Sequence, residues 1–353
     1  MQVSNIQLDV KSSWVTTERK TAPRSSVNRL WVLVFTTALL ALNTSCSQSP
    51  VEEKSSPAEA SRINVAASFY PLYEFARRVG GERVAVTLLV PPGREPHDFE
   101  PAPRDIQSIA KAKLFVYNGA GFEPWVDKIL TSVASPQLVV MDASQRVEVM
   151  AAAKEDEHRG KKSEGGSSQE SRSLKRGEAL DPHFWLDPVA VKQVVESLRD
   201  ALVQVDPQGG DIYLANAKGY IEALAALDAE YLERLRSCPK RELIASHAAL
   251  GYLAKRYNLT VYSIAGVSPE AEPSPSKMKD LAELAREKGI KHVLVEPLVS
   301  PKLAQTLAKE VGAATIVFNP IEGLSKKEMD SGKDYLSLMR DNLTILKTAL
   351  GCS

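Results

Sequence analysis

The chain has 353 residues, 44% of them hydrophobic and 25% charged, so it is long enough for two domains of ordinary size and too apolar to be disordered or fibrous. Its 44 basic and 44 acidic residues cancel, and no basic stripe runs along the chain, which excludes a nucleic-acid-binding protein. There are only five histidines, so the position of each one carries information.

The N-terminal region has the order of a secretory signal peptide. Basic residues precede the apolar run 30–42, which is too short to span a membrane comfortably, and small residues then lead to Cys46. A small residue directly before Cys46 resembles a bacterial lipoprotein processing site, where the cysteine becomes the lipidated N-terminus; simple cleavage is the alternative. We therefore expect a signal peptide over 1–45, a lipidated tether over 46–61 and an extracytoplasmic location.

Apolar strands alternate with amphipathic helices through the next part of the chain. The predicted strands are 62–70, 84–90, 114–117 and 138–141, and the predicted helices are 71–79, 103–112, 123–134 and 188–203. This alternation predicts a parallel sheet covered on both faces, with ligand sites at the carboxyl ends of the strands. Residues 154–180 are Glu, Lys, Ser, Gly and Arg with almost no apolar anchor, so they are expected to form a mobile surface loop, which contains His158.

Residues 211–236 carry the longest uninterrupted helical pattern in the chain, about 39 Å at about 1.5 Å per residue. The alternation then restarts, with predicted strands 242–246, 260–264, 292–295 and 315–318 and predicted helices 248–257, 275–288, 301–311 and 334–349. The sequence thus predicts an α/β protein with two lobes, 62–210 and 237–353, each with a parallel sheet of about four strands. One long rigid helix over 211–236 joins the lobes.

Three histidines and one glutamate occupy comparable places in this predicted fold. Each lies just beyond the carboxyl end of a strand or in the stiff, proline-bounded loop 181–188: His97, His183, His247 and Glu322. Strand ends of two lobes converge on the cleft between them, where ligands bind preferentially. Imidazole nitrogens with one carboxylate oxygen match the tetrahedral N, O and S coordination of zinc. A single one of these histidines would more often be structural, and the set of them indicates a metal site.

Four motifs resemble those of the metal-specific solute-binding proteins of bacterial ABC importers, the zinc and manganese cluster with a rigid connecting helix. The motifs are PHDFEP at 96–101, DPHFWLDP at 181–188, SHAALGYLA at 246–254 and NPIEGL at 319–324. The resemblance covers 62–350 and implies that His97, His183 and His247 bind the metal. It also implies that the last motif supplies a carboxylate ligand. In many members this carboxylate stands where the present chain has Asn319, and in another branch it stands at the position of Glu322. Glu322 is the expected ligand.

The resemblance implies a zinc carrier that delivers its ion to a membrane permease with a cytoplasmic ATPase, and works as a lipid-anchored monomer. Members for manganese tend to replace the third histidine with a carboxylate, so His247 favours zinc. Zinc members often have a His-rich loop before the second ligand, whereas here the loop holds only His158. Alternatives are a manganese carrier, an adhesin, or a secreted zinc hydrolase, which would need an open coordination position that Glu322 would fill.

Further polar residues near the four are candidates for orienting the imidazoles through their other nitrogen. They are Asp98, Asp187, Glu296 and Asn319. For Asp98 and Asp187 a cap or turn role is the alternative, and for Glu296 the alternatives are a structural role and a role as a metal ligand. The remaining cysteines, Cys238 and Cys352, can pair in an oxidising compartment or stay as free thiols.

Overall fold

The computed structural model describes residues 62–133, 135–152 and 179–352. The expected signal peptide and tether with Cys46, and the segment that contains His158, lie outside the described residues. Two four-stranded sheets, each with all strands parallel, confirm the predicted α/β fold. Within the described ranges no helix is both long and apolar enough to cross a membrane.

The first sheet is built from the first half of the described chain. Its elements are β1 (Ile63–Ala67), α1 (Tyr70–Gly80), β2 (Val84–Leu88), α2 (Pro103–Lys111), β3 (Leu114–Tyr117), α3 (Val126–Ser132) and β4 (Val139–Asp142). The strand order is β2-β1-β3-β4. Residues 65–67 of β1 are all buried, and because successive side chains point to opposite faces of a strand, both faces of the sheet are covered.

A short antiparallel pair and two long helices follow. They are β5 (Met150–Ala151), β6 (Leu180–Asp181), α4 (Pro188–Val205) and α5 (Gly210–Arg236). Helix α5 spans about 40 Å at about 1.5 Å per residue, and it packs against α1 and α4. Its bounds agree with the predicted helix within one residue. The division of the chain into lobes at 210 and 237 stays a prediction.

The second sheet repeats the plan of the first. Its elements are β7 (Glu242–Ala245), α6 (Gly251–Tyr257), β8 (Thr260–Ser263), α7 (Pro275–Lys288), β9 (His292–Val295), α8 (Lys302–Val311), β10 (Ala314–Val317), α9 (Lys326–Asp330) and α10 (Tyr335–Leu350). The strand order is β10-β9-β7-β8. The chain therefore reverses its direction of winding between β7 and β9, and at such a point the two outgoing loops separate and leave a crevice for ligands.

Helix α10 returns from the second sheet to α5, and both helices bury apolar faces there. Tyr231 of α5 donates a hydrogen bond from its hydroxyl to the carbonyl of Met339 in α10, 2.5 Å away. Beyond the two helices, Cys238 and Cys352 are joined as a disulfide across 114 residues of sequence. The last segment of the chain is thus attached to the end of α5 both by packing and covalently.

Candidate metal centre

The structure brings together the four residues predicted to form the site. His97 follows β2, His183 follows β6, His247 follows β7, and Glu322 follows β10. One potential ligand atom from each residue lies within 4.8 Å of the other three. His183, His247 and Glu322 are fully buried, whereas the side chain of His97 retains 9% of its exposure. The cluster therefore reaches solvent on the side of His97.

Five of the six distances among these four atoms lie between 3.2 Å and 3.8 Å. His183 Nε2 lies 3.3 Å from His97 Nε2 and 3.3 Å from His247 Nε2. Glu322 Oε1 lies 3.8 Å, 3.4 Å and 3.2 Å from the Nε2 atoms of His97, His183 and His247. A tetrahedral zinc ion with bonds of about 2.0–2.1 Å has ligand atoms about 3.3–3.4 Å apart. The arrangement has the size of a zinc site.

Glu322 Oε1 also has the environment of a metal ligand. It is buried, and in the described part of the chain no donor is aligned for a hydrogen bond with it. A buried carboxylate oxygen without a donor is costly unless a cation compensates it. A metal ion placed between this oxygen and the three imidazoles would supply that charge.

Two carboxylates set the tautomers of the two most buried histidines. Asp181 Oδ1 lies 2.8 Å from His183 Nδ1, and Glu296 Oε1 and Oε2 lie 2.9 Å and 2.7 Å from His247 Nδ1. When Nδ1 donates its proton to the carboxylate, Nε2 keeps a lone pair, and it is Nε2 that faces the cluster in both rings. Glu296 was predicted to orient an imidazole and occupies that place; Asp181 was not among the predicted residues.

Each of the three histidines is also held through its backbone by a carboxylate. The backbone N–H of His97 donates to Glu95 at 3.0 Å, that of His183 donates to Asp181 at 3.0 Å, and that of His247 reaches Glu296 at 3.3 Å. In the first two, the acid stands two residues before the histidine with a proline between them, in Glu-Pro-His and Asp-Pro-His. An acidic side chain commonly bonds the backbone two residues on, so this repeated spacing is a signal that could have identified Glu95 and Asp181.

The charges of the cluster are strongly coupled. Burial disfavours the charged ring of His247, but Glu296 and Glu322 outweigh burial and raise its pKa well above the usual value. In the same way burial is outweighed at His183, where Asp181 and Glu322 raise the pKa. Burial favours the neutral form of Glu322, yet the imidazoles, His247 first, lower its pKa well below the usual range. Protons therefore compete with a metal ion for this site.

His97 differs from the other two histidines. Burial lowers its pKa, and the nearby Glu322 compensates this only in part. Burial, followed by the charge of Glu322, raises the pKa of the neighbouring Glu95 to about 8. His97 is accordingly the imidazole that loses its proton most easily, and it is also the one nearest to solvent.

Aromatic rings surround the imidazoles on the side of the first sheet. The ring of Phe122 lies edge-on to His97 at 4.7 Å between centroids, and Trp185 lies 5.1 Å from His183. Phe69 packs against both Phe122 and Trp185, at 4.8 Å from each. Apolar surroundings exclude water and strengthen the electrostatic interactions inside the cluster.

The other predicted orienting residues take different positions. Asp98 is exposed, and Asp187 caps α4 by accepting from the backbone N–H of Val189 at 2.8 Å. Asn319 Oδ1 accepts from the backbone N–H of Ile321 at 2.8 Å, and its amide nitrogen donates to Glu328 at 3.0 Å. Asn319 thereby shapes the turn that carries Glu322, and both ends of its amide are engaged within that part of the chain.

The chain is similar to known zinc-uptake proteins over nearly all of its described length. A family model described as "ZnuA: Zinc-uptake complex component A periplasmic" matches residues 65–349. The "High-affinity zinc uptake system protein ZnuA" of Bacillus subtilis (strain 168) is 37% identical over 320 residues, which are 91% of this chain and 98% of that protein. The "Zinc-binding protein AdcA" of Streptococcus pyogenes serotype M3 is 37% identical over 286 residues, 81% of this chain. This chain spans only about half of AdcA, since the match covers 56% of it.

A solved structure supports the same relationship. The crystal structure of the Zn(II)-bound ZnuA-like domain of Streptococcus pneumoniae AdcA matches with a TM-score of 0.67 and 33% identity, covering 82% of this chain and 99% of the domain. With the family match, the sequence relatives and the shared fold, the chain belongs to the family of periplasmic zinc-uptake complex component A proteins.

Proposed function

We propose that the protein is the extracytoplasmic zinc-binding component of an ABC-type importer. It captures Zn²⁺ at His97, His183, His247 and Glu322 and delivers the ion to a membrane permease that is driven by a cytoplasmic ATPase. The observation that carries the proposal is the set of five distances of 3.2–3.8 Å between the three Nε2 atoms and Glu322 Oε1. Four of them, 3.2–3.4 Å, are close to the edges of a zinc tetrahedron, and the distance from His97 to Glu322 is longer, at 3.8 Å.

A carrier fits this cluster better than a hydrolase. A catalytic zinc needs an open position for the water that attacks the substrate. Glu322 Oε1 lies at the fourth corner, so a tetrahedral ion bound by all four residues has no such position. The proposed role is therefore reversible binding of the ion and its transfer to a partner.

The donor set favours zinc over manganese. Three imidazoles and one carboxylate provide four ligands of mixed softness, whereas manganese prefers more oxygen donors and a higher coordination number. We propose that zinc binds with a large advantage over manganese. Competition between the two ions tests this, and equal affinities would contradict it. The affinity of Cu²⁺ exceeds that of Zn²⁺ at most such sites, so we do not expect the protein to prefer zinc over copper.

The binding test compares a ligand with a histidine outside the cluster. Zinc affinity of the metal-free protein is measured by competition with a chromophoric chelator for the wild type, His183→Ala and His292→Ala. Zinc sites of this kind bind the ion with a free energy of about 10–16 kcal/mol, which is about 3 kcal/mol for each of four ligands. Loss of one ligand in His183→Ala should therefore weaken zinc binding about 100-fold. His292 begins β9, at the opposite end of that strand from Glu296, and its removal should leave affinity unchanged.

The same titration tests the stoichiometry and the fourth ligand. One zinc ion per chain is expected; two equally tight ions would contradict a single site. Glu322→Gln should weaken binding more than Asn319→Ala, because Glu322 Oε1 faces the imidazoles and Asn319 bonds its own turn. A larger loss from Asn319→Ala would show that the wrong residue was chosen.

Attachment and partner are proposed on the resemblance and on the relatives. A relative named "Zinc-binding lipoprotein AdcA" in Streptococcus pneumoniae, 35% identical over 286 residues, supports lipidation of Cys46. We propose that the mature chain is a lipid-anchored monomer. Cys46→Ser should release it from membranes while zinc affinity stays unchanged, as measured by fractionation and chelator competition.

A further inference from the structure

The turn that carries Glu322 contains an unfavourable backbone conformation. Ile321 has φ of 61°. Of the three non-glycine residues with positive φ in the described part of the chain, Ile321 is the β-branched one. The left-handed region crowds Cβ against the following carbonyl oxygen, and a β-branched side chain makes that crowding worse. Ile321 is nevertheless fully buried and directly precedes Glu322.

Contacts from a distant part of the sequence hold this turn. Trp185 donates a hydrogen bond from its indole Nε1 to the carbonyl of Pro320, at 2.8 Å, across 135 residues of sequence. Trp185 is itself fixed, because it is 1% exposed and its backbone carbonyl accepts from the Tyr335 hydroxyl at 2.6 Å. Its ring packs against His183. One side chain thus contacts a histidine of the cluster and the turn that carries Glu322.

We propose that Trp185 is a positioning residue that holds the strained 320–322 turn so that Glu322 Oε1 faces the three imidazoles. A backbone in a sparsely populated region persists only where its surroundings over-determine it. Without the indole donor, the turn relaxes toward an ordinary conformation and carries Glu322 away. The inference rests on the proposed function, since it takes Glu322 as a ligand of the zinc ion.

Two substitutions at position 321 separate backbone strain from packing. Ile321→Ala and Ile321→Gly both remove most of the buried side chain and differ by one methyl group. Glycine adopts the left-handed conformation freely, whereas alanine keeps the crowding at Cβ. Each is combined with Trp185→Phe, which keeps an aromatic ring near His183 but removes the N–H donor and part of the buried ring; the loss of ring volume is common to both backgrounds. Trp125→Phe is a control for the same substitution away from the cluster, because Trp125 is half-buried and packs against Phe99 and Phe115.

The measurement is the rate at which zinc leaves the loaded full chain after mixing with excess chelator, well below the unfolding temperature. Loss of the buried hydrogen bond should make Trp185→Phe release zinc about tenfold faster in the wild-type and Ile321→Ala backgrounds. In the Ile321→Gly background the same change should alter the rate by less than about threefold, because no strain remains to move the turn. Trp125→Phe should release zinc at the wild-type rate.

Equal effects of Trp185→Phe in the alanine and glycine backgrounds, or no effect in either, would overturn the inference. If the Trp185→Phe chain does not fold, the zinc release rates of the single variants Ile321→Gly and Ile321→Ala are compared as the test of strain in the turn. Slower zinc release from the glycine variant, by about threefold or more, supports the inference, and equal rates overturn it. Failure of the wild type to bind zinc would instead overturn the proposed function, so the two failures are distinguishable.

Discussion

The carboxylate behind His247 provides the most demanding test of the proposed zinc site. Glu296 is 6% exposed, and its two oxygens lie 2.9 Å and 2.7 Å from His247 Nδ1. In Glu296→Gln the side chain keeps its shape and one acceptor but loses its charge. A hydrogen bond to a charged group contributes about 1.5–3 kcal/mol and a neutral one about 0.5–1.5 kcal/mol, so the difference is about 1–1.5 kcal/mol. We expect zinc affinity to fall about tenfold, at the lower limit of the range for such positions.

The pH dependence of this loss distinguishes an orienting role from a purely structural one. Glu296 also raises the pKa of His247, and protonated His247 cannot bind zinc. Without that charge the pKa of His247 falls, so protons compete less. The tenfold deficit of Glu296→Gln should therefore be complete at alkaline pH and shrink as pH falls toward about 6.

The assay is chelator competition on the metal-free protein at several pH values, with Glu283→Gln as a control. Glu283 lies on α7, where it is exposed and pairs with Lys279, so its substitution should leave zinc affinity and its pH dependence unchanged. A Glu296→Gln protein with wild-type affinity at alkaline pH, or with a deficit that does not vary with pH, would refute the assignment of Glu296 to His247.

Three further predictions follow from other contacts. Asp181→Asn should weaken zinc binding about tenfold in the same competition assay, because the Nδ1 partner loses its charge; unchanged binding would contradict this. In the metal-free protein the raised pKa of His247 stabilises the fold fully below about pH 6.5, and this stabilisation is lost as the pH rises through the pKa that His247 has in the folded protein. The lowered pKa of Glu322 stabilises the fold above about pH 4.5. The unfolding temperature should therefore fall above about pH 6.5, and less so in Glu322→Gln; an equal fall in both would refute the linkage. Reduction of the Cys238–Cys352 disulfide should lower the free energy of unfolding by about 4–5 kcal/mol for this loop length, measured by urea denaturation; a Cys352→Ser variant that is unaffected by reductant serves as the control.

The four residues of the cluster were predictable because each belongs to a short-range pattern. Parallel strands end at the same edge of a sheet, so a histidine that follows β7 and a glutamate that follows β10 lie on the same edge, with β9 between their strands. The two prolines around His183 indicate a stiff loop in the same way. These arguments need only the order of strands along the chain, which apolar periodicity reveals.

The contacts that orient the cluster were harder to predict. Asp181 and Asp187 flank His183 in one motif, and from the sequence alone only Asp187 was considered, either as an orienting residue or as a helix cap. The structure places Asp187 at the first turn of α4 and turns Asp181 back toward the imidazole. Both have a backbone donor two residues ahead, and only the three-dimensional path of the chain decides which one also reaches the ring.

Element ends were also shifted where the chain turns toward the site. A helix was predicted over 248–257, but α6 begins at Gly251. Residues 246–250 form the turn that carries His247, and the backbone N–H of Ala248 donates to the carbonyl of Gly266 instead of continuing a helix. Helical periodicity reports which residues share a face, and it does not report a competing backbone partner from another loop.

The distribution of these contacts indicates how the site selects its ion. His183 and His247 each have carboxylate oxygens that bond both the backbone N–H and the ring of the same residue. Their directions are therefore set by the protein before a metal binds. Glu322 has no such partner on its Oε1, and its position depends on the turn that Trp185 holds. His183 and His247 thus present two fixed nitrogens 3.3 Å apart, a spacing that favours an ion which accepts four ligands at short distance.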